Sequence, residues 1–384
     1  MGFELPRHSL DEVHCQASKT GTFVLVTDKQ DFSLLGHNAN IEFKVQDSRS
    51  RQPSPTAIYY IRSMAKIGIV LATYNGEKYL RQMLDSLLAQ TRPADFIVAV
   101  DDGSKDSTPE ILKSYQDRLP LQISVSPQNM GHRSAFSKSL ELARPQLGDD
   151  DLIALADQDD VWLPQKLEIL EKAIETSDGF SKKPDLVFGD AQVIDADGKI
   201  IGNSWRAMDG IPKHLSLRAL LTGFTNVTGC MTLFRANLLE KILPIPEQVP
   251  VHDQWITFCA CARNGYVSIP DPVIQYRIHG QNAIGLGHSH TWTGNLKLNL
   301  QWARMITEAP HFSELSESDQ KFLKRYIGYV QDRLDKPLIP QYTVWVAKNA
   351  RSLYPHVSGL FGFVPRILYG IIGAPIITKF FGKK

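Results

Sequence analysis

From Ile67 the chain settles into short apolar runs alternating with amphipathic stretches. Ile67 to Leu71 has strand length and is closed by the turn signal Tyr74-Asn75-Gly76. Glu77 to Gln90 then places Tyr79, Leu80, Met83, Leu84, Leu87 and Leu88 at helical spacing. Phe96 to Val100 predicts a second strand, stopped by Asp101-Asp102-Gly103-Ser104. Ser107 to Arg118 predicts a helix, with Ser107 or Thr108 as cap and Pro109 in its first turn. The rhythm continues with a strand at Leu121 to Val125, a helix at Gly131 to Ala143, a strand at Leu152 to Ala156 and a helix at Leu163 to Thr176. This alternation predicts an α/β fold built from βαβ units, with a largely parallel central sheet flanked by helices.

Beyond Pro184 the order changes. Leu186 to Phe188 and Gln192 to Ile194 read as strands around an Asp195-Ala196-Asp197-Gly198 turn. Leu215 to Leu221 reads as a helix, Cys230 to Phe234 as a strand and His252 to Arg263 as a helix, with an irregular polar segment running on to Asn282. Amphipathic helices are expected at Leu296 to Thr307, Ser318 to Leu334 and Val344 to Leu353.

The flanks read differently. Residues 1–63 show no sustained period, only short runs of strand character at Thr22 to Thr27 and Ile41 to Val45, and a polar Gln46 to Pro55 stretch. They are expected to be a poorly structured extension, or to lie upstream of a natural start at Met64. Residues 64–285 form the expected main domain and 286–384 a helical region. The last part, Val357 to Lys384, is apolar and basic, interrupted by Pro365, Arg366 and Pro375. Two readings stand side by side: a helix lying in a membrane interface with its lysines on headgroups, or one packed on the main domain. No stretch reaches the ~18 to 20 continuous apolar residues of a spanning helix, and Met1 to Ser9 do not resemble a signal peptide.

Composition narrows the classes. Of 384 residues, 43% are hydrophobic and 22% charged, enough to bury a sizeable core. Lys plus Arg number 42 and Asp plus Glu 41, so no global basic field points to nucleic acid, and none is expected as a partner. The four cysteines, Cys15, Cys230, Cys259 and Cys261, form no CxxC pair and read as reduced thiols.

The chemistry clusters at strand ends. Thr73-Tyr74-Asn75, Asp101-Asp102 and Asp157-Gln158-Asp159 each follow a predicted strand. Ligands of open parallel sheets bind beyond those carboxyl ends, so the three clusters predict one site. Asp157 and Asp159, spaced i, i+2, suit a hard cation such as Mg2+ or Mn2+ holding a diphosphate. Asp101 and Asp102 suit a nucleobase N–H and a ribose hydroxyl, and Tyr74 offers a face for a base. Each has a plainer explanation: a solvated acidic loop, a turn before a helix cap, a half-buried aromatic. Asp253, opening a helix, suits a general base for an acceptor hydroxyl, or simply a carboxylate at a helix N-terminus. Arg277 suits phosphate and His279 phosphate or metal, while Gly229-Cys230 allows close backbone approach to a sugar.

Several stretches together resemble the nucleotide-binding half of the family 2 glycosyltransferases, which have the GT-A fold. They are Ile69 to Gly76, Leu87 to Thr91, Val100 to Thr108, Asn129-Met130-Gly131 and the Asp157-Gln158-Asp159 triplet. Ala156 to Pro164, His252-Asp253-Gln254-Trp255 and Tyr276 to Asn282 are similar to a narrower branch, the bacterial rhamnosyltransferases of surface polysaccharides such as O-antigen. Gln254 stands where that branch often has an aromatic residue. The resemblance covers roughly residues 66–285. It implies an inverting, Mg2+- or Mn2+-dependent transfer, chiefly of rhamnose from dTDP-rhamnose, to a glycan or lipid-linked acceptor. Asp253 is then the base, and Asp159, Asp157 and His279 are the metal ligands. Donor contacts fall on Thr73, Tyr74, Asn75, Asp101, Asp102, Asn129, Gly131, Asp157 and Arg277. Trp162, Gly229, Cys230, His252 and Trp255 line the sugar or acceptor pocket. A cytoplasmic enzyme, peripheral at the inner face of the cell membrane, is expected. The same fold with a UDP-hexose donor, or as a non-catalytic nucleotide or glycan binder, is the alternative.

Overall fold

The computed structural model describes residues 14–17, 23–27, 41–45, 57–63, 65–176, 183–279, 291–357 and 360–381; Thr22, the Gln46 to Pro55 stretch and Gly280 to Asn282 lie outside them. The chain divides into two compact units, residues 1–66 and 67–384. In the first, β1 (His14–Ala17), β2 (Phe23–Thr27), β3 (Ile41–Val45) and β4 (Ala57–Ser63) form an antiparallel sheet in the order β1-β2-β4-β3. The apolar runs expected as strands occupy β2 and β3. The β4 segment Ala-Ile-Tyr-Tyr-Ile-Arg-Ser, rich in β-branched and aromatic residues, pairs with both.

The second unit is built on one nine-stranded sheet. Its strands are β5 (Ile67–Thr73), β6 (Phe96–Asp101), β7 (Leu121–Val125), β8 (Leu152–Asp157), β9 (Val161–Trp162), β10 (Leu186–Ile194), β11 (Ile200–Gly202), β12 (Thr232–Arg235) and β13 (Tyr266–Arg277). The order is β7-β6-β5-β8-β12-β10-β13-β9, with β11 on β10. The first four are parallel. β5 and β6 are buried almost throughout, which is why they read as continuous apolar runs rather than alternating ones. From β12 on the sheet is mixed: β12 runs antiparallel to β8 and β10, while β13 returns parallel to β10.

One segment departs from expectation. Residues expected to be irregular after Arg263 contain the twelve-residue strand β13. Pro270 and Pro272 make its sequence read as a loop, since proline cannot donate to a ladder. The register shifts around Asp190 in β10, opposite Pro272, absorb them. The two strand fragments expected around residues 186–194 are likewise one strand, β10.

The helices of the parallel half are α1 (Leu80–Leu88), α2 (Thr108–Lys113), α3 (His132–Ala143) and α4 (Lys166–Glu175). Phe136, Leu140 and Ala143 of α3 share a core with Val70, Phe96 and Val98 of the sheet. Next come α5 (Trp205–Asp209), α6 (Leu217–Leu221), α7 (Leu239–Ile242) and α8 (His252–Arg263). The C-terminal region adds α9 (Trp292–Glu308), α10 (Glu317–Asp335), α11 (Thr343–Lys348), α12 (Ala350–Leu353), α13 (Leu360–Gly370) and α14 (Ala374–Phe381). It is tied to the sheet domain: the Trp302 indole donates to the Leu220 carbonyl at 2.8 Å, and the Tyr326 hydroxyl to the Thr222 carbonyl at 3.0 Å. Pro365 lies inside α13 rather than ending it. The chain around α13 packs through the Tyr329 hydroxyl and Arg333 guanidinium onto the carbonyls of Tyr369, Gly370 and Ile372. Val364 and Leu368 remain exposed. Among the described residues, no helix is long and apolar enough to cross a membrane.

Candidate active site

A cleft of about 860 Å³ opens beyond the carboxyl ends of β5, β6 and β8. The residues named from the sequence that line it are Thr73, Tyr74, Asn75, Asp102, Asn129, Asp157, Asp159, His252, Asp253 and His279. The sheet brings the three strand-end clusters together because β5 sits between β6 and β8.

One end of the cleft is a braced loop. Tyr74, 43% exposed, follows β5. Its N–H donates to Gln158 Oε1 at 2.8 Å, and Gln158 Nε2 donates back to its carbonyl at 3.0 Å. Asn75 adopts a left-handed φ of 47° and accepts from the Lys105 N–H, while its own N–H donates to Ser104 Oγ. Gly76 follows because a Cβ there would run into the Gln158 amide. Asp102 accepts from the Met130 and Gly131 N–H groups at 3.0 and 2.8 Å, joining this loop to the start of α3. Gly131, at φ 88°, caps α3 and does not itself line the cleft.

Asp101 has a different role from the one expected. It is fully buried, and its two oxygens accept from Thr73 Oγ1, Ser104 N and Ser104 Oγ. It holds the loop and leaves the cleft side to Asp102.

The acidic triplet occupies the middle. Burial, reinforced by Asp159 and Asp253, pushes the Asp157 carboxyl up to about 7. Asp159 Oδ2 lies 2.9 Å from His279 Nε2, so a carboxylate and an imidazole stand side by side. Asp157, Asp159 and His279 all face the cleft, and hard oxygens with one imidazole fit Mg2+ or Mn2+. Asp157, Asp160 and Cys230 also bring ligand atoms within 4.8 Å of one another. That grouping fits a cation poorly. Burial drives the Cys230 thiol well above its ordinary range, Asp160 accepts from the Arg277 N–H, and the Lys166 ammonium donates to the Cys230 carbonyl at 2.5 Å.

Lys166 and Asp160 carry weight that their place in the sequence does not suggest. Lys166 is 0% exposed and lies 3.2 Å from the Trp162 ring centre. Burial pulls its ammonium down to about 7, against the opposing pull of Cys230, Asp160 and Asp157. The legible signal is its place between Leu163 and Leu167, Leu170 and Ile174, on the apolar face of α4.

Arg277 is a further correction. Its guanidinium is buried and donates to the carbonyls of Asp159, Asp195 and Ala196 and to Gln82 Oε1, with Tyr79 stacked at 4.6 Å. It shapes the triplet from behind rather than facing a phosphate. Three expected pocket residues are also set back. Trp162 is buried under Lys166, Trp255 donates its indole N–H to the Ile242 carbonyl at 2.9 Å, and Cys230 lies beneath the sheet end. Gly229 acts through its backbone, donating its N–H to Asp253 Oδ2 at 3.2 Å.

At the far end, Asp253 is the second residue of α8. Burial pushes its carboxyl up to about 6, partly offset by the Gly229 hydrogen bond. Its buried Oδ1 has no hydrogen-bond partner among the described residues.

Comparisons with known proteins bear on the family and the fold. Residues 68–243 match the model of the glycosyl transferase family 2. An uncharacterised glycosyltransferase of Nostoc sp. is 30% identical over 224 residues, 56% of this chain and 66% of that protein. An uncharacterised glycosyltransferase of Methanocaldococcus jannaschii is 32% identical over 138 residues, 35% of this chain and 44% of that protein. The chain thus spans under half to about two thirds of these relatives' lengths. Among solved structures, residues 1–349 of TarS from S. aureus, in complex with UDP-GlcNAc, match with a TM-score of 0.50 at 17% identity, covering 80% of this chain and 81% of that one. The fold is of the GT-A type. The chain carries a family 2 glycosyltransferase domain.

Proposed function

We propose that the protein transfers a sugar from a nucleotide-sugar donor to a hydroxyl of a growing glycan or lipid-linked acceptor, with inversion at the transferred carbon. The observation that carries this reading is one cleft lined at one end by Tyr74, Asn129 and Asp102, with an acidic centre at Asp157 and Asp159 and a buried carboxylate at Asp253. The complex of TarS with UDP-GlcNAc supports a nucleotide-sugar donor.

Asp102 and Tyr74 would take the nucleoside, and Asp157, Asp159 and His279 would hold Mg2+ or Mn2+. When bound, such a cation neutralises charge developing on the diphosphate. Asp253 Oδ1 accepts the proton of the acceptor hydroxyl as that oxygen attacks the sugar carbon. The carbon–oxygen bond to the diphosphate breaks on the opposite face, and the diphosphate leaves with the bonding pair. The resemblance of the triplet and of His252-Asp253-Gln254-Trp255 to rhamnosyltransferases supports dTDP-rhamnose as donor. A UDP-hexose is the second reading, favoured by the TarS ligand.

The C-terminal region supports a peripheral place at the inner face of the cell membrane. Val344, Val364 and Leu368 are exposed, in company with the exposed cations Lys348, Arg351 and Arg366.

The test is calorimetry with Mg2+ or Mn2+ and a panel of dTDP-rhamnose, UDP-glucose, UDP-galactose and GDP-mannose. Metal-dependent binding of dTDP-rhamnose alone is the expected result, and Asp159→Ala removes it. A UDP-sugar preference replaces the sugar assignment; binding of no donor overturns the transferase reading.

A further inference from the structure

The cleft wall between the nucleoside end and Asp253 carries two histidines. His132 opens α3, one residue beyond Gly131, whose N–H is held by Asp102. His252 opens α8, one residue before Asp253. Phe136, one turn along α3 from His132, lies flat under the His252 ring at 3.9 Å and 25°. The two imidazoles meet edge to face at 5.9 Å. All three side chains line the cleft.

The hydrogen-bonding of this pair is incomplete. His252 is 7% exposed, yet neither of its ring nitrogens has a partner among the described residues; nor does His132 Nε2. Buried polar groups ordinarily find partners, and leaving one unpaired costs ~1–3 kcal/mol. A ring pinned on Phe136 and aimed into a substrate cleft is a side chain waiting for a ligand atom. Gly229 makes room for it, since a Cβ there would stand 3.0 Å from His252 Nε2.

The chemistry of the ligand follows from the charge state. Burial, followed by His132, pulls the His252 imidazole down to about 3, and burial likewise lowers His132. The His252 ring is therefore neutral at pH 7, and the shift of His132 runs the same way. A neutral imidazole presents one N–H donor and one bare nitrogen acceptor. A hydroxyl, itself donor and acceptor, matches that pattern; a phosphate, which only accepts, does not. With Asp102 at the nucleoside and Asp253 at the attacking hydroxyl, the stretch between them is where the transferred sugar lies. The Phe136 ring beneath adds an apolar floor.

We infer that His132, Phe136 and His252 form the subsite that reads the hydroxyls of the transferred sugar. This rests on the donor assignment of the preceding subsection.

The experiment compares a whole nucleotide sugar with its free nucleotide. Calorimetry with Mg2+ measures dTDP-rhamnose against dTDP and UDP-glucose against UDP, for wild type, His252→Phe, His132→Phe and His252→Gln. Each phenylalanine variant is expected to lose about 10- to 100-fold in affinity for the nucleotide sugar and to bind the free diphosphate as wild type does, which also shows that it is folded. His252→Gln, which keeps a donor and an acceptor, is expected to recover part of the loss. Equal losses for sugar and free nucleotide would move the pair to the nucleoside subsite and overturn the inference, as would unchanged affinity for both. Wild-type protein that binds neither nucleotide would instead remove the donor reading on which the subsite stands.

Discussion

Gln158 pairs with the peptide group of Tyr74 from both ends, accepting its N–H at 2.8 Å and donating to its carbonyl at 3.0 Å. The central residue of the acidic triplet is thus a clamp, joining the loop after β5 to the loop after β8 across 84 residues of sequence. It lets the two carboxylates beside it face the cleft while fixing the aromatic ring proposed to stack on the base.

Gln158→Glu retains the acceptor, loses the donor and adds a charge beside Asp157 and Asp159. Nucleotide affinity is expected to fall up to about tenfold, the scale of one neutral hydrogen bond, with thermal stability changed little. Calorimetry with the free nucleotide checks the first and a melting curve the second. Unaltered affinity would show that the Tyr74 loop keeps its place without the clamp.

As the proposed base, Asp253 is expected to set the pH dependence. A general base works ionised, and burial pushes this carboxyl up to about 6. The rate at low substrate is therefore expected to climb tenfold per pH unit below about 6 and to level off above it. Asp253→Asn is expected to lose ~10²- to 10⁴-fold in turnover and that acid limb with it, while donor affinity holds. The stability linkage has the opposite slope. A carboxyl whose folded-state pKa is raised from 3.8 to about 6 stabilises the fold when protonated, and that contribution fades as pH rises through this window. A rate profile flat from pH 4.5 to 8 would remove Asp253 from proton transfer.

Lys166 is the buried counter-charge of the triplet. Lys166→Met leaves Asp157 and Asp160 without their nearest ammonium. Breaking a buried charge cluster from one side costs roughly 3 kcal/mol. The loss is expected to be larger at pH 8.5 than at pH 6, because the Lys166 amine is itself pulled down to about 7: at pH 6 it is charged at a burial cost that Met relieves, and by pH 8.5 that cost has partly fallen away. Denaturant unfolding at both pH values decides it; equal losses would reduce Lys166 to a packing role.

Membrane contact is tested on the exposed face of the C-terminal helices. Val344→Glu with Leu368→Glu is expected to abolish binding to vesicles containing phosphatidylserine, measured by flotation, and to leave the melting temperature in place because both side chains are exposed. Retained flotation would place the contact elsewhere.

Much of this protein was legible as local pattern. The main strands and helices from Ile67 to Thr176, and the three polar clusters at strand ends, follow from periodicity and turn chemistry, which depend on neighbours a few residues apart. The general location of the site follows too, because parallel strands open their carboxyl ends on one edge. What only the tertiary structure decided is the direction each side chain takes. Arg277 reads as a phosphate ligand, yet its N–H meets Asp160 across 117 residues and its guanidinium is spent on carbonyls behind the triplet. Strand β13 itself was hidden because two prolines suppress its pattern and a bulge in β10, some 80 residues earlier, accommodates them. The same holds for Lys166, which looks like one more helix lysine until α4 docks, and for His132 and His252, 120 positions apart, whose rings meet only when α3 and α8 converge. Burial and pairing are properties of contacts between distant segments, and it is they that turn a set of polar residues into a site.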